Sequence, residues 1–99
     1  MFPWPIKTDE FNTIKNSVLL ENLEDTKLSI AKELTLEKCL TVQQILEIIG
    51  LFNFEETKLN YAKHCYSKCF DVDNYSQLRS VFDFENSMDD LNDFIKNQK

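Results

Sequence analysis

Residues 54–63 read FEETKLNYAK, and thirty-one positions earlier residues 23–32 read LEDTKLSIAK. Six of the ten residues are identical, and two of the differences (Leu23/Phe54 and Asp25/Glu56) keep the chemical character. A third copy of the leading pattern follows. NLEDT at 22–26, NFEET at 53–57 and DFENS at 83–87 each place Asn or Asp, an apolar residue, Glu, a polar residue, then Thr or Ser. The spacings are 31 and 30 residues. Self-similarity at about 30–47 residues marks helical repeat arrays, in which each helix pair cannot bury its apolar face alone.

Periodicity on both sides of the pattern supports helices. Apolar residues recur at helical spacing in Phe11, Ile14 and Val18, and in Val42, Ile45, Ile49 and Phe52 with Leu46 beside them. Leu59, Ala62, Tyr66, Cys69 and Phe70 form the cleanest stripe; Tyr75, Leu78, Val81 and Phe82 form another, and Met88, Leu91 and Ile95 the last. The stripe Leu28, Ala31, Leu34 is weaker. The spacing predicts an all-α domain of six short helices near 9–20, 23–38, 41–52, 54–70, 73–82 and 87–98. These make three antiparallel hairpins of about 31 residues, stacked as a small superhelix or a compact bundle. The repeated pattern then sits at the corner of each hairpin, with Asn22, Asn53 and Asp83 as helix N-caps. Thr41 with Gln44 spells a capping box at a further helix start. Lys27 and Lys58 each lie three residues after a glutamate, Glu24 and Glu55, a spacing that predicts the same Glu–Lys contact in both copies.

Composition sets the limits of the reading. Ninety-nine residues suit one domain, taken here as an extended Pro/aromatic segment at 1–8 followed by a single helical unit at 9–99. One Gly and two Pro, both prolines within the first five residues, disfavour sheets that need frequent turns. A net charge of −6 without any basic stripe argues against nucleic acid or anionic lipid as partners. No apolar run approaches the roughly 18 residues of a membrane span, and MFPWPIKTDE lacks the features of a signal peptide. Three cysteines, Cys39, Cys65 and Cys69, leave at least one thiol free, and reduced thiols are the expectation.

Residues with reactive side chains are few. KHCYSKC at 63–69 gathers one His and two Cys, but on a helix His64 points away from the cysteines, so core thiols and a surface histidine are expected rather than zinc. DVDNY and DFENSMDD lack the Gly and Glu of a calcium loop, because the twelfth residues are Phe82 and Phe94. No nucleophile–base pair, serine elbow or glycine-rich phosphate loop is present, so no enzyme and no cofactor are expected. FPWP at 2–5 holds Phe2 and Trp4 on an extended backbone, either as a lid over the helices or as a docking segment. Phe2, Trp4, Lys27 and Lys58 are the candidate interaction residues. The expected role is a non-catalytic protein-interaction or accessory domain whose partner is a protein or peptide. A purely structural domain of a larger exported protein is the first alternative, and a thiol-based metal module built on Cys39, Cys65 and Cys69 the second.

The segments PWPIKTDEFNTIK, TKLSIAK, TVQQILEIIGLFNFEETKLNYAK and DVDNYSQLRSVFDFENSMDDLNDFI together resemble the family known as domain of unknown function 4476, over about Pro3 to Ile95. The landmarks include Asp9, Phe11, Lys27, Leu28, Phe52, Phe54, Lys58, Leu59, Ala62, Tyr66, Tyr75, Phe82 and Leu91. Members often carry a Cys near the Pro-rich start and a Met before the Asp-Phe, and this chain has neither there. The resemblance implies an all-α domain, often at the C-terminal end of bacterial proteins and frequently attached to exported ones. It carries over no activity and no catalytic residues.

Overall fold

The computed structural model describes residues 4–98. These form five α-helices: α1 Thr8–Leu19, α2 Glu24–Leu34, α3 Val42–Ile49, α4 Glu55–Cys65 and α5 Glu85–Lys96. A 3-10 turn covers Tyr66–Lys68 and a long 3-10 stretch covers Val72–Val81. The domain is flattened, 32 × 31 × 19 Å. α4 is the hub, packed against α2, α3 and α5, while α1 lies on α2. The predicted third hairpin differs from this packing, because Val72–Val81 packs chiefly on α3 and α5 chiefly on α4.

The core follows from the apolar stripes. α3 buries Val42, Ile45, Ile48 and Ile49, four of its eight residues, and so must sit inside. Phe11, Ile14 and Val18 of α1, Ala31 of α2, Tyr61, Ala62 and Cys65 of α4, and Met88 and Leu91 of α5 close around it.

Three predicted helices are altered for identifiable reasons. The segment 73–82 is 3-10 rather than α. Its apolar residues Tyr75, Leu78 and Val81 repeat every third position, and a 3-10 helix brings i and i+3 onto one edge. α2 ends at Leu34, four residues short of the prediction, where the buried Thr35 turns its hydroxyl back onto the Ala31 carbonyl at 2.6 Å. α4 stops at Cys65 because the chain beyond it pairs with the α2–α3 connection. Leu40 and Cys69 form a parallel bridge in which Phe70 N donates to Leu40 O at 2.8 Å and Leu40 N to Lys68 O at 3.3 Å. Phe70, placed in the core stripe by the sequence, is consequently half exposed.

The helix starts also require a correction. The N-cap residues of α2, α4 and α5 are Leu23, Phe54 and Phe84, all with extended backbone and none making a side-chain cap. Asn22, Asn53 and Asp83 lie one residue too early to cap. At α3, by contrast, Thr41 Oγ1 accepts from Gln44 N at 3.1 Å and Gln44 Oε1 accepts from Thr41 N at 3.0 Å, the reciprocal box.

Tyr61 is fully buried, and its phenol meets Thr35 Oγ1 at 3.0 Å. The single threonine hydroxyl proton goes to Ala31 O, so Tyr61 donates and Thr35 accepts. The two deletions are therefore unequal. Tyr61→Phe removes one hydrogen bond and is expected to cost about 0.5–1.5 kcal/mol in urea unfolding, whereas Thr35→Val orphans a buried phenol and should cost about 1–3 kcal/mol. A Tyr61→Phe variant less stable than Thr35→Val would reverse the assignment.

Candidate functional site

The repeated phrase places its two charged residues on the next corner of the chain. Glu24, at the start of α2, accepts from Asn53 N at 2.8 Å and Phe54 N at 2.9 Å through Oε2, and so covers the start of α4. Lys27, one turn further along α2, donates to Leu51 O at 3.2 Å, just past the end of α3. The second copy repeats the arrangement. Glu55 accepts from Asp83 N at 2.9 Å and Phe84 N at 3.1 Å at the start of α5, and Lys58 donates to Val81 O at 3.0 Å. Each Glu-x-x-Lys thus clamps a turn from both sides, its anion on free amides and its cation on a free carbonyl, where the helix dipoles favour those charges. Among the described residues neither lysine forms an ion pair with its own glutamate, and the predicted Glu24–Lys27 and Glu55–Lys58 contacts are replaced by contacts to the neighbouring turn.

The two clamps differ in one atom. Ser87 Oγ donates to Glu55 Oε1 at 2.7 Å, completing that carboxylate. Thr57 holds the equivalent place in the first clamp, yet Glu24 Oε1 is buried without a partner among the described residues. Burial alone would raise the Glu55 carboxyl, but the Ser87 hydroxyl, the Asp83 and Phe84 amides and the Lys58 charge together hold it below its ordinary 4.5. In the third copy Glu85 has no further turn to cover and pairs with Arg79 in solvent at 2.6 Å, while Met88, buried, replaces the lysine.

Asp71 and Lys68 are also tied to helix ends. Asp71 Oδ1 accepts from Val42 N at 2.8 Å at the start of α3; burial raises its carboxyl, but this bond together with those from Asn74, Cys69 and its own backbone amide holds it below the ordinary value. Lys68 Nζ donates to Leu36 O at 2.7 Å beyond the end of α2 and lies 3.0 Å from His64 Nε2. His64 is half-buried rather than a surface residue and stacks on Tyr61 at 5.9 Å. Burial, then the charges of Lys68 and Lys32, depress its pKa from 6.5 to about 4. Burial pushes the Cys65 and Cys69 thiols up to about 12 and raises Cys39 as well, with Asp71 adding to the last. All three are free thiols, and among the described residues no three His, Cys, Asp or Glu side chains converge on a metal position.

The apolar side chains on the outside form a second pattern. The N-cap residues Leu23, Phe54 and Phe84 are 69%, 63% and 64% exposed. A groove of about 430 Å³ runs between Leu23 and Phe54, floored by Leu28, Thr57 and Asn60. Trp4 is 72% exposed and borders a separate groove with Ile6 and Cys39, tethered where Ile6 N donates to Cys39 O at 3.0 Å and Gln44 Nε2 to Ile6 O at 3.0 Å. Phe2, its expected companion, lies outside the described residues. The sequence reading missed Glu24 and Glu55 as site residues. The available signal was that Glu-x-x-Lys recurs unchanged in the two copies with a following corner and loses its lysine in the last.

The fold and these contacts define an all-α domain whose corners are clamped in series by repeated Glu-x-x-Lys pairs. The sequence profile of the family described as Domain of unknown function (DUF4476) matches residues 5–95, and the chain belongs to that family. No curated protein and no solved structure matches it. Among the described residues no helix is long and apolar enough to cross a membrane.

Two tests follow from the clamps. Glu55→Ala frees two amides and one hydroxyl and is expected to cost about 1–3 kcal/mol, whereas Glu85→Ala, the same phrase position in solvent, should stay within about 0.5 kcal/mol. Equal losses in urea unfolding would remove the distinction. Acid acts on two groups. His64, kept neutral in the fold, withdraws stability as the pH falls from 6.5 towards 4, and Glu55 withdraws it as the pH falls below 4.5 through its lower folded value. His64→Gln should therefore flatten the urea midpoint between pH 6.5 and 4, and Glu55→Gln should flatten it only from about pH 4.5 downward.

Proposed function

We propose that this domain is a non-catalytic interaction module whose binding surface is the row of corners carrying Leu23, Phe54 and Phe84. The observation that supports this is the residue type at three equivalent N-cap positions. Folding alone favours Ser, Thr, Asp or Asn there, which cap the helix, over Leu and Phe by about 0.5–2 kcal/mol. Here all three positions hold a large apolar side chain that is mostly in water and packs little. Apolar side chains placed in solvent at a cost in stability are the signature of a surface that a partner covers. The polar groups of the clamps do not compete with this reading, because Glu24, Glu55, Lys27 and Lys58 are engaged with backbone.

The test uses the same positions. Phe54→Ser and Phe84→Ser are expected to leave the thermal midpoint unchanged or raised, since serine can cap where phenylalanine cannot. A photo-crosslinker at Phe54 or Phe84 in the full parent protein should capture a partner, with capture lost in the serine variants. Destabilisation by both serine substitutions would mean that the rings serve the fold, and the interaction reading would fall.

A further inference from the structure

The interior corners show what covers such a turn, and the first corner lacks that cover. In the repeat register Leu20, Leu51 and Val81 are equivalent, as are Asn22, Asn53 and Asp83, and Leu23, Phe54 and Phe84. Leu51 and Val81 are partly buried against the core, and their carbonyls receive Lys27 and Lys58. Leu20 is 80% exposed, with Leu19 at 53% and Leu23 at 69% beside it. Among the described residues, the Leu20 carbonyl accepts no hydrogen bond and the Asn22 and Leu23 amides donate none. The amide pair, the carbonyl and the apolar cover that a Glu-x-x-Lys helix engages twice in this chain are thus all open at a third place.

We infer that the α1–α2 corner docks a partner protein's helix bearing a Glu-x-x-Lys pair, seated as α2 sits on the second corner and α4 on the third. In this arrangement the partner carboxylate accepts from Asn22 N and Leu23 N, its lysine donates to Leu20 O, and its apolar face covers Leu20, as Leu51 and Val81 are covered at the other corners. Charge complementarity favours the lysine. Glu21 stands where the covered corners have Phe52 and Phe82, adding an anion next to the Leu20 carbonyl. A second copy of the chain fits less well. Its two Glu-x-x-Lys pairs are already engaged, and the third copy offers Glu85 with the buried Met88 in place of the lysine.

The assignment rests on the interaction reading above and is tested separately from it. The probe is a helix-stapled peptide of residues 54–64, titrated into the isotope-labelled full chain and followed by amide NMR shifts; the staple is needed because so short a helix barely forms in water. Saturable shifts centred on Leu20, Asn22 and Leu23 are expected. A peptide carrying Glu55→Gln with Lys58→Met should bind at least about tenfold more weakly, since each charge-assisted bond lost is alone enough for that factor. A Leu20→Glu chain that keeps the parental helical signal and melting temperature should lose the peptide to the same extent. No saturable shift at the corner at millimolar peptide, or equal binding of the substituted peptide, overturns the inference. Concentration-dependent self-association that shifts the same amides would assign the corner to a second copy and also overturn it. Shifts confined to Phe54 and Phe84 would leave the proposed interaction surface standing and overturn only this corner assignment.

Discussion

A helix leaves four amides at its start and four carbonyls at its end without internal partners. In a domain built from helices of eight to twelve residues these ends are a large share of the backbone. Here side chains from distant parts of the chain supply the missing partners. Glu24, Glu55 and Asp71 sit on the starts of α4, α5 and α3, while Lys58 sits on the last carbonyl of the 3-10 stretch and Lys27 and Lys68 just beyond the ends of α3 and α2. In every case the sign of the charge is the one that the helix dipole favours.

These contacts explain the order of the elements as well as their stability. A capping residue beside its own helix fixes where that helix begins and nothing more. A carboxylate about thirty residues away also fixes which helix lies next to which. Glu24 holds α2 against the start of α4 and Glu55 holds α4 against the start of α5, in line with the way α4 touches both neighbours. Burial of α3 then provides the apolar centre around which the clamped turns close.

What the sequence made legible divides along the same line. Helix number and approximate span were readable because apolar spacing is a local signal, and the Thr41–Gln44 box was readable because both partners lie within one turn. The clamps were not. The polar residue nearest each helix start was the natural cap candidate, but Asn53 and Asp83 contribute only their amides, and the carboxylates that receive them lie 29 and 28 residues upstream. His64 was misplaced for a related reason: helical projection puts it opposite the cysteines, but Tyr61 on its own helix and Lys68 beyond it enclose the ring. The 3-10 stretch was misread as α because Tyr75, Leu78 and Val81 satisfy i, i+3 in either helix, and Phe82, four residues after Leu78, extends the stripe at α spacing. Among the exposed apolar residues, Trp4 was visible from its sequence, while Leu23, Phe54 and Phe84, which form the proposed surface, were hidden inside the repeat as ordinary apolar residues.

The clamp also gives the domain a direction. Glu24 and Lys27 cover the second corner and Glu55 and Lys58 the third, whereas no such pair among the described residues covers the first, so the two ends of the series differ. At the far end Met88 is drawn into the core and Glu85 turns to Arg79, which closes the series with groups that are already paired. At the near end Leu20 stays in water and the turn keeps its free amides and carbonyl. Repeat arrays that finish at both ends place polar residues on both outer faces. An array with one finished end and one apolar end is asymmetric by construction, and the asymmetry falls where the repeated Glu-x-x-Lys would be expected to act once more.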